Sequence, residues 1–572
     1  MLLDKINSPV DLKKLKEEEI GALCSEIRNV LLNKIYTTGG HLGSNLAMIE
    51  TIVALHYVFS SPRDKFVFDV SHQSYTHKIL TGRKDAFIDP AKFGTVSGYT
   101  TPNESEHDFF KVGHTSTAVA LACGLGKGRD LLKEKENIVA IMGDGALSGG
   151  EALEALDNAV LLKSNFIVIL NDNEMSIPEN TGGIYSNLKL LRETNGEAEV
   201  NIFKAIGYDY IYVEEGNDVN KVVDALKHVK DIDHPVLVHI HTLKGCGDEF
   251  ATTNKEAGHY VMGKNFKMDP NAESYKKIMM KKIMEHIDEV IMINASTPSA
   301  AGILKEYREI AKDHYLDVGI CEPFAVALSS GIARRGFKPV YLVSASFVQR
   351  CYDQLNQDLA MNNNPALIIV YDAGIYGGDC THVGQYDIPL IANIPNIKCF
   401  APSSKEELED LIEFGIKEKE FPMVIRIEIS GVNHFESKFD GLNSFKYQYV
   451  EKGNKVALIG LGSYLNKALK AKELLKKENI DATVINPICY SALDEETLNE
   501  LKENHDLVVT LENGSVEGGF GEKIASFYGA SNMKVINLGG EKDFNDLVPS
   551  KILFEKLGLN EDQIVRKIIE NI

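Results

Sequence analysis

The chain of 572 residues is poor in cysteine, with eight, none of them in a C-x-x-C pair. Such sparse spacing argues against a disulfide framework and for a reducing compartment. No apolar run reaches about 18 residues, so no transmembrane helix is expected. The N-terminal "MLLDKINSPVDLKKLKEEEI" is charged and helical in pattern, unlike a signal peptide. Positive charge is the minority: 61 Lys and Arg against 82 Asp and Glu give a net charge of -21. Nucleic acid is therefore excluded as a general partner, because its phosphates attract basic surfaces. A local basic pocket for a small anion remains compatible with that balance. There is no repeat at a fixed short period and no low-complexity tract. The expectation is a cytoplasmic protein with neither membrane nor nucleic-acid partners.

What is present is ordinary core-forming sequence, 44% hydrophobic and 25% charged. Short runs such as "NIVAIMG", "NFIVILN", "PVLVHIHT", "KPVYLVSAS", "PALIIVYDAG", "KVALIGLG" and "DLVVTLEN" alternate with amphipathic stretches. Runs of this length, rich in Val and Ile, predict buried parallel strands in doubly wound α/β domains. Over 149–163, Ala152, Leu153, Leu156, Ala159 and Val160 predict one helical face. Polar stretches at 263–271 and 433–454 suggest boundaries. They divide the chain into three α/β domains, at 1–270, 271–440 and 441–572.

The strand predicted at 138–142 ends in Gly143-Asp144-Gly145, and the one at 166–170 ends in Asn171-Asp172-Asn173. Carboxylates and amides are poor strand residues, whereas ligand sites of parallel sheets lie at the carboxyl ends of strands. If the two strands are neighbours, Asp144 and Asn173 share one rim. Magnesium takes hard oxygen ligands and completes its shell with phosphate oxygens and water. Asp144 offers a carboxylate, Asn173 an amide oxygen and Met175 a backbone carbonyl. Gly145 and Ala146 sit beside Asp144, where glycine permits a close backbone approach. A helix starting near Gly149 would turn its N-terminal amides to the rim, which favours an anion. A bare GDG would fit a capped glycine turn equally well. An asparagine about 29 residues on, across a strand–helix–strand pattern, points instead to the thiamine-diphosphate signature.

The chain also carries "GGHLGSNLAMIETIVALHYVF" at 39–59, "FDVSHQSYTHKILTGR" at 68–83, "VGHTSTAVA" at 112–120 and "NDNEMSI" at 171–177. In these segments, and along nearly its whole length, it resembles the 1-deoxy-D-xylulose-5-phosphate synthases of the transketolase-like thiamine-diphosphate enzymes. The resemblance implies thiamine diphosphate and Mg2+ as cofactors, held between the first two domains. It implies a homodimer, in which the third domain, with "TLENGSVEGGFGEKIASF", helps to pack the two copies. The implied reaction decarboxylates pyruvate, a 2-oxo acid donor, and joins the remainder to an aldehyde acceptor, glyceraldehyde 3-phosphate. Glu322 would share a proton with the aminopyrimidine ring, against which Phe347 and Arg350 would pack. His72, Gly113, His114 and Thr115 would lie by the diphosphate and thiazolium, and His41 would face the reacting centre. His382, Asp379 and His259 look like further active-site residues.

The departures from the family concern the acceptor. Asp372 stands where the family has an arginine in Asp-Arg-Ala-Gly, and Ile429 where it has one in Tyr-Pro-Arg-Gly. Both arginines are associated with the acceptor's phosphate, for which a guanidinium is a natural bidentate clamp. Ser344 replaces a tyrosine, and Glu322-Pro323-Phe324-Ala325 replaces Glu-Gln-His-Ala. Asp248 replaces a tyrosine, the segment after Ser176 is short, and one residue is missing within 377–384. The expectation is a synthase with an altered acceptor, for which Arg426 and Lys264 are the candidate phosphate cations. Ketol transfer between sugars, as in transketolase, and a non-catalytic paralogue are the competing readings.

Overall fold

The computed structural model describes residues 1–264, 266, 269, 272–436, 439–441 and 445–572. The expected boundary at 263–271 lies partly outside the described residues, as does the one at 433–454. The chain divides into two compact units. One is Met1–Asp269 with Gly319–Cys321, and the other is Pro270–Val318 with Glu322–Ile572.

The first unit is built on a five-stranded parallel sheet. Its strands are β2 (Lys65–Phe68), β3 (Ile138–Gly143), β4 (Phe166–Asp172), β5 (Asp209–Val213) and β6 (Pro235–His241), in the order β2-β3-β4-β6-β5. Every residue of β4 is buried, as expected for a parallel strand covered on both faces. A two-stranded antiparallel ribbon joins β1 (Gly39–His41) to β7 (Tyr260–Met262), with His41 opposite Tyr260. Helix α1 (Ala118–Leu132) precedes β3, and α2 (Gly150–Ala159) lies between β3 and β4. The expected apolar face of α2 needs one correction. Ala152, Ala155, Leu156 and Ala159 are buried, while Leu153 is 37% exposed. Positions 152, 155, 156 and 159 follow the i, i+3, i+4, i+7 rule, and 153 lies to one side of that stripe.

The second unit contains two sheets. The first is entirely parallel, in the order β12-β13-β11-β10-β8-β9. Its strands are β8 (Val290–Asn294), β9 (Tyr315–Asp317), β10 (Lys338–Ser344), β11 (Leu367–Ala373), β12 (Lys398–Phe400) and β13 (Met423–Glu428). Helix α3 (Glu322–Arg334) leads into β10. The second sheet runs β14-β16-β15-β17-β18, parallel except for β14. Its strands are β14 (Gln448–Glu451), β15 (Lys455–Gly460), β16 (Thr483–Asn486), β17 (His505–Ser515) and β18 (Lys534–Gly540). One apolar cluster runs through both sheets, from Ile293 and Val370 to Ile459 and Tyr528. Burying such a continuous surface makes the two sheets a single compact body. Glu512, at the heart of the "TLENGSVEGGFGEKIASF" segment, accepts from the amides of Phe520 and Gly521 at 2.9 and 2.8 Å. It thereby caps helix α4 (Phe520–Tyr528). All eight cysteines are free thiols. Among the described residues, no helix is long and apolar enough to cross a membrane.

Candidate active site

In the first unit, β3 and β4 are parallel neighbours, with Gly143 opposite Asn171. Asp144 and Asn173 therefore follow adjacent strand ends, and both are buried. The Asn173 amide oxygen accepts from Met175 N at 3.2 Å, so the chain folds back at once after β4. One Asp144 oxygen accepts from Asn180 Nδ2 at 2.7 Å, and the Tyr185 hydroxyl donates to the Asp144 and Gly145 carbonyls at 3.2 Å. Asn180 and Tyr185 lie in the shortened segment, where no motif signalled them. The two nearby glycines serve close chain crossings. A Cβ on Gly145 would stand 3.0 Å from Ser176, and one on Gly149 would stand 2.2 Å from the Ser116 hydroxyl.

The donors at this rim fit a hard cation. Asp144, Asn173 and the Met175 carbonyl all offer oxygen, and an amide oxygen already accepting one bond retains a second lone pair. Burial, helped by the neighbouring Asp172, pushes the Asp144 carboxyl well above its ordinary range. A cation at the rim would return it to the carboxylate. Asp172 itself is spoken for. Burial pushes it up, but His239 at 2.9 Å and Arg192 at 2.5 Å more than offset that and hold it at about 2. Asp144→Ala should weaken magnesium-dependent binding of thiamine diphosphate by at least about 10–100-fold, the loss that even outer-shell changes cause. Calorimetric titration of the apo chain measures this directly.

The segment bearing Gly113, His114 and Thr115 runs into α1 and is fixed by Asp69. The two Asp69 carboxylate oxygens accept from Ser116 N at 2.8 Å and Ala118 N at 3.0 Å. Ser116 Oγ in turn donates to the Ala146 carbonyl at 3.0 Å, tying this loop to the rim. The resemblance did not single out Asp69 or Ser116.

The histidines of the first unit form a group. The His41 ring centroid lies 4.9 Å from His72 and 5.5 Å from His259, and His72 lies 5.3 Å from His259. Tyr99 and Tyr260 flank His41 at 6.0 and 5.0 Å. Asn45, fully buried, fixes two of these residues by their backbones, its amide donating to the carbonyls of His41 and His72 at 2.8 Å each. Burial pushes His259 well below the usual imidazole range, so it is neutral at pH 7. Its buried Nδ1 has no hydrogen-bond partner among the described residues, which suits a site that receives a ligand.

In the second unit, Glu322 opens α3 and is 3% exposed. Burial raises its pKa, and the Arg350 guanidinium, 3.4 Å away, offsets only part of that rise. Phe347 stands edge-on to His382, with ring centroids 5.8 Å apart. Asp379 lies on the same loop as His382, and its Oδ1 accepts from Thr381 N at 3.0 Å. Glu322, Arg350, Phe347, His382 and Asp379 thus all belong to this unit, as Asp144, Asn173 and the other histidines belong to the first.

One expectation is overturned. Arg426 is no phosphate cation: it is fully buried, with Nε donating to Asp387 at 2.6 Å, Nη1 to Glu428 at 2.5 Å and Nη2 to the Asn513 carbonyl at 2.5 Å. Two carboxylates and a carbonyl already take up its charge and its donors. Asp372, expected to reverse the local charge, is paired with Lys276, whose Nζ lies 2.7 Å from Oδ1 and 2.8 Å from Oδ2. Ile429 is 42% exposed, while Ser344 is buried. Lys264 is exposed.

Comparison with known proteins matches four family models along the chain. A family model described as 1-deoxy-D-xylulose-5-phosphate synthase matches residues 3–200. Transketolase models match 111–292 (thiamine diphosphate binding domain), 272–430 (pyrimidine binding domain) and 446–564 (C-terminal domain). These matches and the sheets described above define an enzyme of the transketolase type that works with thiamine diphosphate and a divalent metal. The 1-deoxy-D-xylulose-5-phosphate synthase of Caldanaerobacter subterraneus subsp. tengcongensis is 34% identical over 616 aligned positions, covering 100% of this chain and 99% of that one. That of Dictyoglomus turgidum is 36% identical over 613, with the same coverage of 100% and 99%. The chain belongs to the 1-deoxy-D-xylulose-5-phosphate synthase family. A solved transketolase from Leishmania mexicana is 15% identical, with a TM-score of 0.45, covering 96% of this chain and 97% of that one.

Proposed function

We propose that this enzyme decarboxylates pyruvate and joins the remaining two-carbon unit to an aldehyde, which it holds without the family's arginine clamp. With glyceraldehyde 3-phosphate the product is 1-deoxy-D-xylulose 5-phosphate, a precursor for isoprenoid and thiamine biosynthesis. The observation that carries the altered acceptor is the Lys276–Asp372 pair. At the position of one clamp arginine stands a carboxylate that engages a lysine of its own unit. The other position is Ile429, and the nearby Arg426 is consumed by Asp387 and Glu428. This loss of cations favours an unphosphorylated aldehyde as acceptor, with Lys264, which is exposed, as the remaining candidate for holding a phosphate.

In this reading Asp144, Asn173 and the Met175 carbonyl hold the metal. His72, Gly113, His114, Thr115, Gly145 and Ala146 hold the diphosphate and thiazolium. Glu322, Phe347 and Arg350 hold the pyrimidine ring. Thiamine diphosphate, when bound, supplies the carbanion-stabilising chemistry. Glu322 keeps a proton at its carboxyl and shares it with the ring nitrogen, a task favoured by the raised pKa. His41, His382 and Asp379 handle the protons of donor and acceptor. We further propose the domain division 1–270, 271–440 and 441–572, a homodimer, and a cytoplasmic location.

The test is carbon dioxide release from pyruvate, with magnesium and thiamine diphosphate, with and without aldehydes. Turnover with unphosphorylated aldehydes, and little stimulation by glyceraldehyde 3-phosphate, is the expected result. Ordinary synthase efficiency with glyceraldehyde 3-phosphate would refute the altered acceptor. No release with any aldehyde would refute decarboxylation and leave ketol transfer.

A further inference from the structure

We propose that Thr381 is a positioning residue that fixes the tautomer of His382. The inference rests on the reading of His382 as an active-site histidine, and it begins from the loop that follows β11.

That loop is held on a rigid frame. Gly374 N donates to the Gly384 carbonyl at 2.9 Å, which closes its base. Ile375 N donates to Asn513 Oδ1 at 2.8 Å, Gly377 N to Ser550 Oγ at 2.8 Å and Cys380 N to Asp546 Oδ1 at 3.2 Å. Leu547 N donates back to the Gly378 carbonyl at 2.8 Å. A Cβ on Gly377 would stand 2.1 Å from the Val548 carbonyl, so no side chain fits there. The C-terminal part of the unit therefore sets the backbone from Asp379 to His382.

Within this frame, proton counting decides the tautomer. Thr381 Oγ1 lies 2.7 Å from Asp379 Oδ1 and 2.8 Å from His382 Nδ1. An ionised carboxylate only accepts, so the threonine hydroxyl gives it its single proton. The hydroxyl oxygen then has only lone pairs for the imidazole, and Nδ1 must be the protonated nitrogen. Burial holds the His382 imidazole below its ordinary pKa, so the ring is neutral near pH 7 and Nε2 is its basic nitrogen. The arrangement is a base whose orientation is set by a carboxylate acting through a hydroxyl. Asp379 caps the turn through Thr381 N, a bond separate from those of the hydroxyl.

Two substitutions separate orientation from folding in the full chain. Thr381→Val keeps the shape and the capping amide but loses the hydroxyl, and Thr381→Ser keeps the hydroxyl. The primary readout is the nitrogen-15 shifts of the His382 ring in histidine-labelled protein, its signals assigned by their loss in His382→Gln. The expected result is the Nδ1–H form in the parent and in Thr381→Ser, and a mixture of tautomers in Thr381→Val. The kcat for carboligation should fall at least about tenfold in Thr381→Val, a part of the ~10²–10⁴ that general acid–base catalysis contributes. KM for the aldehyde should change less, and Thr381→Ser should restore kcat. An Nε2–H ring in the parent chain, or an unchanged Nδ1–H ring in Thr381→Val, would overturn the proposal. A tautomer change without a rate change would leave Thr381 as assigned and overturn the catalytic reading of His382 instead.

Discussion

Replacing Glu322 by glutamine should lower turnover by about 10²–10⁴-fold, the usual contribution of a positioned acid or base. The substitution keeps the side chain's size and its place at the start of α3, and removes only the exchangeable carboxyl proton. Glu322 is buried, and its pKa is raised because burial outweighs the attraction of Arg350. A carboxyl so placed retains its proton at a pH where an exposed glutamate has lost it. A glutamine in its place cannot take up or release that proton. Deuterium exchange at C2 of bound thiamine diphosphate is the most direct measurement, with cofactor affinity as the control for folding. Slow exchange at near-normal affinity is the expected outcome. Exchange at the parent rate would remove Glu322 from the proton path and leave it as the first residue of a helix.

The second large effect concerns stability. Arg426→Met should destabilise the second unit by about 3–5 kcal/mol, the cost of leaving buried charge unpaired. Asp387 and Glu428 would lose their common cation, and the Asn513 carbonyl would lose a donor. The deficit should depend on pH. Burial already raises the pKa of Glu428 in the folded chain, and Arg426 pulls it back down. Without the guanidinium it rises further above its unfolded value. A carboxyl whose folded pKa is raised costs stability once pH exceeds the unfolded pKa, and that cost is relieved as the group takes up its proton. The difference in urea midpoint between parent and variant should therefore be larger at pH 7.5 than at pH 5. A difference that grew on acidification would contradict this account.

The polar rim at the ends of β3 and β4 was legible in the sequence because carboxylates and amides at the ends of apolar strands are chemically out of place there. Strand order needed only two runs and the helix between them, and β3 and β4 are neighbours as those runs imply. The rim's supports were not legible. Asn180 and Tyr185 reach it from the shortened segment, where nothing near them in the chain distinguishes them from ordinary polar residues. Asn45 and Asp69 lie within the quoted segments, but that they fix His41, His72 and the loop at Ser116 comes only from the fold. Arg426 shows the same limit from the other side. In the run "FPMVIRIEI" a lone arginine reads as a cation available for a ligand, and its fate depends on Asp387 and Asn513, far away in the chain. Lys276 escaped notice for that reason too. Its meaning comes from Asp372, 96 positions further on. What the sequence encodes locally is the chemistry of a residue; whether that chemistry is available is settled by partners that the fold brings in.

The Arg426 cluster also bears on the order in which the chain is made. The guanidinium emerges with β13, and its carbonyl acceptor at Asn513 follows 87 residues later. At about 5–20 residues per second, translation leaves roughly 4–17 s between the two. Throughout that interval the first sheet of the unit has its carboxylates and its arginine in hand but lacks the strand that seals them from water. A nascent chain halted before β17 would therefore leave Arg426 without its carbonyl acceptor and Glu428 without the Asn513 amide.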